Sequence, residues 1–332
     1  MCMSDRPAPS INVATETILF LLIPDFSLIA FTSAIEPLRI ANRLAGKPLY
    51  HWTLVSRDGG PVAASSGVVL QADAGVAAQE PTAGRLPPAI VLCGGLGSEH
   101  YQDREVFGWL RRWDRRGAQL GAICTGAHVL ARAGLLDGHR CTIHWENLPG
   151  FVEAFPEIQV SSDLYEIDGN RFTCSGGTAA LDLMLNRIAL THGDDLATKV
   201  SEQCIVDRIR GPHDRQRMPL RVRLGVHHPK LIRAVEIMES RIEETLSQEV
   251  LAQHVGLSRR QLERLFRRHL GRTPAQYYLE TRLERARHLL FQTDMPIMSV
   301  ACATGFVSAS HFTTCYRQMF GKTPRAERVR AA

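Results

Sequence analysis

The segment Gly121-Ala122-Ile123-Cys124-Thr125-Gly126 puts a cysteine where an apolar run ends and a helix begins. A sharp strand-to-helix turn exposes its central side chain, and the helix N-terminus behind it lowers a thiol pKa. His144, in Thr142-Ile143-His144-Trp145-Glu146, could supply the base. A Cys–His pair with no third group to orient the imidazole is an incomplete catalytic set. The plainer reading of Cys124 is a small residue that tolerates a strained turn. Ser175-Gly176-Gly177-Thr178 opens another helix, and its backbone N–H groups suit a ligand carboxylate. Trp145 offers a ring face to a quaternary ammonium, with Glu146 or Glu36 as counter-charge. The plainer alternatives are a core tryptophan, a Glu36 that caps its helix or pairs with Arg39, and Gly-Gly pairs that are only turns.

These residues must be held by regular elements. Ile18–Ile23, Pro88–Cys93 and Ala118–Ile123 are unbroken apolar runs, as expected of parallel strands buried on both faces. Tyr50–Ser56 and Arg171–Cys174 add further strands. Leu28–Leu44, Arg104–Arg115, Val129–Ala133 and Ala179–Leu190 carry helical spacing between them. Alternating strand and helix predicts an α/β domain over residues 15–207, with a mainly parallel sheet flanked by helices. Ligands in such sheets sit beyond the carboxyl ends of the strands. Cys124, Gly94-Gly95 and the 175–178 turn are therefore expected to converge.

The composition excludes several classes. With 332 residues, 45% hydrophobic and 22% charged, the chain can bury a core and is neither disordered nor fibrous. No apolar run approaches the ~18 residues of a membrane span. The polar start, Met1–Ser10, has no apolar core for a signal peptide, so the cytoplasm is expected. The eight cysteines, Cys2 among them, show no CxxC and no cysteine–histidine spacing of a zinc site. No metal and no cofactor is expected.

Charge is divided unevenly. Residues 1–207 hold 16 Lys+Arg against 23 Asp+Glu, whereas residues 208–332 hold 23 against 11. A basic third joined to an acidic remainder suggests a nucleic-acid-binding module. The polar, Gly- and Pro-broken stretch 208–228 reads as a linker, and residues 229–330 read as all-helical.

Within that third, Ser247–His254, the turn Gly256-Leu257-Ser258 and Arg259–Leu270 form a helix-turn-helix pattern. Leu262, Leu265 and Phe266 share one face of the second helix, and Arg260, Glu263, Arg264 and Arg267 another. The layout recurs in Ile297–Thr304, Gly305-Phe306-Val307-Ser308 and Ala309–Phe320, with Pro274–Phe291 between the two units. Gly271-Arg272-Thr273-Pro274 and Gly321-Lys322-Thr323-Pro324 close the units in nearly the same words. Two such units can place their second helices in successive major grooves.

Residues 229–330 resemble the AraC/XylS family of transcription regulators, on Leu257-Ser258-Arg259-Arg260-Gln261-Leu262, Gly271–Pro274, Gly305-Phe306, His311-Phe312 and Gly321–Pro324. The resemblance implies two reading helices, with base contacts from Arg260, Glu263, Arg264, Ser310, His311 and Thr314. Arg260 and Arg264 suit guanine edges. Arg259, Arg267, Arg268 and Lys322 suit phosphate. The first two-thirds resemble the PfpI-like, class I amidotransferase-like fold, and the pairing resembles the GlxA family. Within it the chain is similar to regulators of glycine betaine, carnitine and arginine catabolism, on Glu36–Asn42, Cys93–Gly95, His144–Glu146, Phe172–Thr178 and Asp214–Arg217. Enzymes of that fold carry a glutamate just after the first strand, where register places a small residue near Ala30. Protease-like members have a histidine after the cysteine, where this chain has Thr125.

The expectation is a DNA-binding regulator, an activator, responsive to a small zwitterionic amine or amino acid. Promoter DNA, RNA polymerase and a second copy of the chain are its expected partners. The competing reading is a cysteine-dependent amidase or hydrolase fused to a DNA-binding domain. A third is a constitutive DNA-binding protein whose first domain only dimerises.

Overall fold

The computed structural model describes residues 15–328 apart from 83 and 85. Met1–Ser10, Cys2 and the last two residues of the expected 229–330 domain lie outside the described residues. The chain divides into two units, Met1–His144 with Glu157–Asp214, and Trp145–Pro156 with Arg215–Ala332.

The first unit runs β1 (Glu16–Leu22), α1 (Leu28–Ala45), β2 (Tyr50–Ser56), β3 (Val62–Ala63), β4 (Val69–Leu70), β5 (Ala74–Gly75), β6 (Ala89–Cys93), α2 (Arg104–Arg115), β7 (Gln119–Ile123), α3 (Ala127–Arg132) and β8 (Arg140–Thr142). After α4 (Leu148–Ala154), which lies in the second unit, it resumes with β9 (Gln159–Ser161), β10 (Tyr165–Asp168), β11 (Arg171–Cys174), α5 (Ala179–His192) and α6 (Asp194–Gln203).

Seven strands form one sheet in the order β10-β11-β7-β6-β1-β2-β5. All neighbours are parallel except the edge strand β10, which is antiparallel to β11. Phe20 stands between Leu54 of β2 and Val91 of β6. Every residue of Ile18–Leu22 is 1% exposed or less, so both faces of β1 are covered. This explains the unbroken apolar run, since a half-exposed strand would alternate.

Phe31 and Leu38 of α1, Leu183 and Met184 of α5 and Val200 of α6 share a core with Ile18, Phe20 and Leu22. Elsewhere in the unit, α2 buries Trp109 and Trp113, whose indole N–H groups both donate to the Gln79 carbonyl at 2.8 and 2.9 Å. The side chain of Arg171 on β11, 5% exposed, donates to Asp114 of α2 at 2.6 Å and to the Leu135 carbonyl.

The second unit adds α7 (Leu220–Arg223), α8 (Pro229–Ser240), α9 (Gln248–His254), α10 (Arg259–Leu270), α11 (Pro274–Gln292), α12 (Ile297–Ala303), α13 (Ala309–Phe320) and α14 (Pro324–Arg328). It has two cores. Leu231 and Val235 of α8, Leu251 of α9, Leu262 and Phe266 of α10 and Tyr278 of α11 make the first. Leu283 and Leu290 of α11, Val300 of α12 and Phe312 and Tyr316 of α13 make the second. One long helix thus serves both. Local chemistry fixes the boundaries: Ser258 with Gln261 and Thr273 with Gln276 form capping boxes, and Pro274 opens α11.

The stretch 208–228 is not a free linker. Arg210 binds Asp182 through its backbone N–H and its guanidinium, and the Leu164 N–H donates to the Pro212 carbonyl, so residues up to Asp214 fold onto the first unit. Leu220, Leu224 and Val226 pack into the core of the second.

Candidate functional site

Four loops meet at the carboxyl ends of adjacent parallel strands. β7 ends at Ile123, and Cys124 turns the chain with φ +60°, a left-handed conformation that a non-glycine residue adopts at a cost. The Cys124 N–H donates to the Cys174 carbonyl at 3.1 Å, which ties the elbow to the end of β11. Gly176, with φ +85°, lies so close that a Cβ there would stand 2.6 Å from the Cβ of Cys124 and 3.0 Å from its Sγ. A Cβ on Gly94 would collide with the Gly126 backbone, and one on Gly95 with the backbone of Asp25 and Phe26. Thr125 Oγ1 donates to the Gly95 carbonyl at 2.5 Å. The loops after β1, β6, β7 and β11 therefore interlock, and the expected convergence of Cys124, Gly94-Gly95 and the 175–178 turn is found.

The surroundings are poor in catalytic groups. Ala30 is fully buried. Glu36 lies half-exposed and pairs with Arg39 at 2.6 Å. Burial pushes the Cys174 thiol up to about 12 and that of Cys93 well above its usual range. His144 follows β8, whose Thr142 N–H donates to Thr173 Oγ1 at 2.8 Å. In the 175–178 turn, Ser175 is buried and donates its N–H to the Leu164 carbonyl at 3.0 Å. Thr178 Oγ1 accepts from Arg210 at 2.8 Å.

The expected ammonium site is divided. His144 belongs to the first unit, Trp145 and Glu146 to the second. The guanidinium of Arg217 lies 4.2 Å from the centre of the Trp145 ring, so a cation already occupies one face. The Glu146 carboxylate approaches His288 at 3.4 Å, and its backbone carbonyl accepts from Gln292 at 3.1 Å. A cleft of about 630 Å³ opens elsewhere in the first unit, at the start of α2 and the end of α3.

Sequence reasoning missed Arg210 and Asp182. The Asp182 side chain is 1% exposed on an otherwise apolar stretch, and both its oxygens are bound by Arg210. An acid among Ala179-Ala180-Leu181 and Leu183-Met184-Leu185 was the available sign, because a buried carboxylate needs a partner.

In the second unit, α10 buries Leu262 and Phe266 and exposes Arg259, Arg260, Arg264, Arg267 and Arg268. Glu263 pairs with Arg267 at 2.9 Å, and Arg259 with Glu249 at 2.7 Å. Among the described residues Arg260 and Arg264 form no ion pair. On α13, Phe312, Cys315 and Tyr316 face inward while Ser310, His311 and Thr314 are exposed. Lys322 Nζ lies 3.4 Å from the buried Glu327.

The DJ-1/PfpI family profile matches residues 16–190, and that of a helix-turn-helix domain matches 251–330. The chain is 48% identical over 320 residues to the HTH-type transcriptional regulator GbdR of Pseudomonas aeruginosa, covering 96% of this chain and 86% of GbdR. It is 40% identical over 312 residues to the HTH-type transcriptional regulator GlxA of Rhizobium meliloti, covering 94% and 95%. The chain belongs to the GlxA-type transcription regulators. A solved AraC family transcriptional regulator from Pseudomonas putida, 29% identical, superposes with a TM-score of 0.51 over 57% of this chain and 99% of its own.

A GlxA-type regulator binds DNA through its helix-turn-helix unit. The elbow that serves enzymes of this fold here belongs to a regulator, as site and fold are separable. Among the described residues no helix is long and apolar enough to cross a membrane.

Proposed function

We propose that this regulator activates transcription in the cytoplasm, as a homodimer working with RNA polymerase, in response to a small zwitterionic amine or amino acid. Glycine betaine, carnitine and arginine are the candidate effectors. The observation that carries the reading is the interlocked elbow: four strand-end loops close around Cys124 while Glu36 is turned away to Arg39. Such a place suits binding rather than turnover. The effector site comprises Cys124, His144 and the turn Ser175-Gly176-Gly177-Thr178, whose α5 start favours a carboxylate. Trp145 and Glu146 are read instead as packing partners of Arg217 and His288.

On the DNA side, Arg260, Arg264, Ser310, His311 and Thr314 read base edges. Arg259, Arg267, Arg268 and Lys322 hold phosphates, and Glu263 orients Arg267. Effector binding stabilises one pre-existing arrangement of the protein. The strap 208–214, anchored by Arg210 on Asp182 and on Thr178 of the turn, is the stretch through which that choice reaches Arg215 and the second unit.

Calorimetry on the full chain with the three candidates tests this. One of them should bind, Gly176→Ala should weaken it at least tenfold, and Trp145→Ala should leave it unchanged. No heat with any zwitterionic amine, or binding indifferent to Gly176, would overturn the reading.

A further inference from the structure

Arginines of the first unit are largely spent on carboxylates: Arg39 on Glu36, Arg57 on Asp103, Arg112 on Glu80, Arg140 on Glu166, Arg171 on Asp114 and Arg187 on Glu16. Three that are not share one cleft. It measures about 630 Å³ and is lined by Gln102, Asp103, Arg104, Phe107, Arg111 and Arg132. Arg111 donates Nε to the Ala133 carbonyl at 2.8 Å, and Arg132 donates to the Glu99 carbonyl. Both acceptors are backbone carbonyls, so these hydrogen bonds bring neither guanidinium a carboxylate. Nε of Arg132 is buried with no acceptor among the described residues. Asp103, the one carboxylate in the lining, caps α2 by accepting from the Glu105 and Val106 N–H groups and pairs with Arg57 at 2.5 Å. The nearby Glu99 carboxyl is raised by burial and held down in part by the charge of Arg132, so it is the acid that faces that guanidinium.

Gathering three guanidinium groups around one cleft costs repulsion. It happens here in a part of the chain where acids outnumber bases, 23 to 16 over residues 1–207. Guanidinium forks match the oxygens of carboxylates and phosphates, and several together recognise a ligand with more than one negative charge. Half-buried Phe107 gives such a ligand an apolar wall.

We propose that this cleft is a second ligand site, which takes a small organic polyanion, a polycarboxylate or a phosphate ester, through Arg104, Arg111 and Arg132, with its carbon skeleton against Phe107. The site is separate from the elbow and does not depend on the effector assigned there. Arg132 is the last residue of the short helix α3 that begins just after Cys124, so an occupant of the cleft grips the far end of the element that carries the elbow.

The test is calorimetry on the full chain at fixed ionic strength, with citrate, glycerol phosphate and inorganic phosphate as probes. Citrate or glycerol phosphate should bind, and which of them binds more tightly distinguishes the polycarboxylate from the phosphate ester. Arg104→Gln and Arg111→Gln should each weaken that binding about tenfold or more, as expected for loss of a charged hydrogen bond. Arg111→Lys, which keeps the charge and loses the fork, should fall between. Arg115→Gln, an exposed arginine of α2 outside the cleft, should change nothing. The proposal is overturned if neither organic probe binds beyond the matched chloride control, if the Arg104 and Arg111 variants bind like wild type, or if inorganic phosphate binds as tightly as both.

Discussion

Gly305 and Gly321 make a matched pair for testing how the second helix-turn-helix unit is built. Both have left-handed φ, +76° and +72°. An alanine at either position costs about 1–2 kcal/mol of backbone strain, offset by about 0.4–1 kcal/mol of lost unfolded-state freedom. Gly321 has nothing within 4 Å of where a Cβ would stand, so Gly321→Ala should cost about 1 kcal/mol in all. At Gly305 the new carbon would lie 2.6 Å from the Ile242 carbonyl oxygen, 2.8 Å from that of Glu243 and 2.9 Å from the Thr245 methyl. Two of these are backbone atoms that cannot rotate away, which adds about 1–3 kcal/mol of overpacking. Gly305→Ala should therefore cost about 2–4 kcal/mol. Hydrogen exchange of the α12 and α13 amides in the full chain reads these local stabilities directly. Equal losses for the two variants would refute the argument that the 305 turn is held by close approach to the 242–245 loop.

Arg264→Ala should weaken specific DNA binding by about 1–3 kcal/mol and relax base preference at one position, whereas an equal loss on random DNA would make Arg264 a phosphate contact. Cys124→Ser keeps size and polarity and should leave effector-dependent activation intact; loss of all activation in a folded, DNA-binding variant would argue for thiol chemistry. Burial lowers the His128 imidazole to about 3, so it stays neutral in the fold. The unfolded chain binds that proton below pH ~6.5, so this contribution to stability is present at neutral pH and is lost by about 1.4 kcal/mol per unit as pH falls further. An imidazole resonance of His128 that titrates between pH 8 and 5 would contradict this. In brief alkylation at neutral pH, exposed Cys302 should react before buried Cys141 and Cys174, whose thiols burial pushes up to about 12, as peptide mass mapping can check.

The sheet was legible because its central strands are covered on both faces: Tyr50–Ser56 and Arg171–Cys174 carry the predicted bounds, and β1, β6 and β7 differ by one or two residues. The helices α2, α10 and α13 are framed by caps and amphipathic spacing and also match. What pattern reasoning could not reach was made by long-range partners. β10 is an edge strand with an exposed face, and its Glu166 and Asp168 do not read as strand. The segment 145–156 follows β8 in sequence, yet its helix packs with α11, where Gln292 holds the Glu146 carbonyl. No local feature near Trp145 announces a partner more than 140 residues away. The 208–214 stretch looked like a linker because glycine, proline and charge are also what a strap needs when it is fixed by one buried acid, Asp182.

On the proposed function, this chain reads DNA sequence through α10 and α13 in response to a ligand held by the first unit. Selection of duplexes from a random library by the full chain, repeated with an Arg260→Ala, Arg264→Ala, His311→Ala variant, tests it most directly. An enriched motif with two parts about one helical turn, ~10 base pairs, apart is expected. The variant should lose that motif while still binding the effector. An unchanged motif in the variant, or no motif from the wild-type chain, would contradict it.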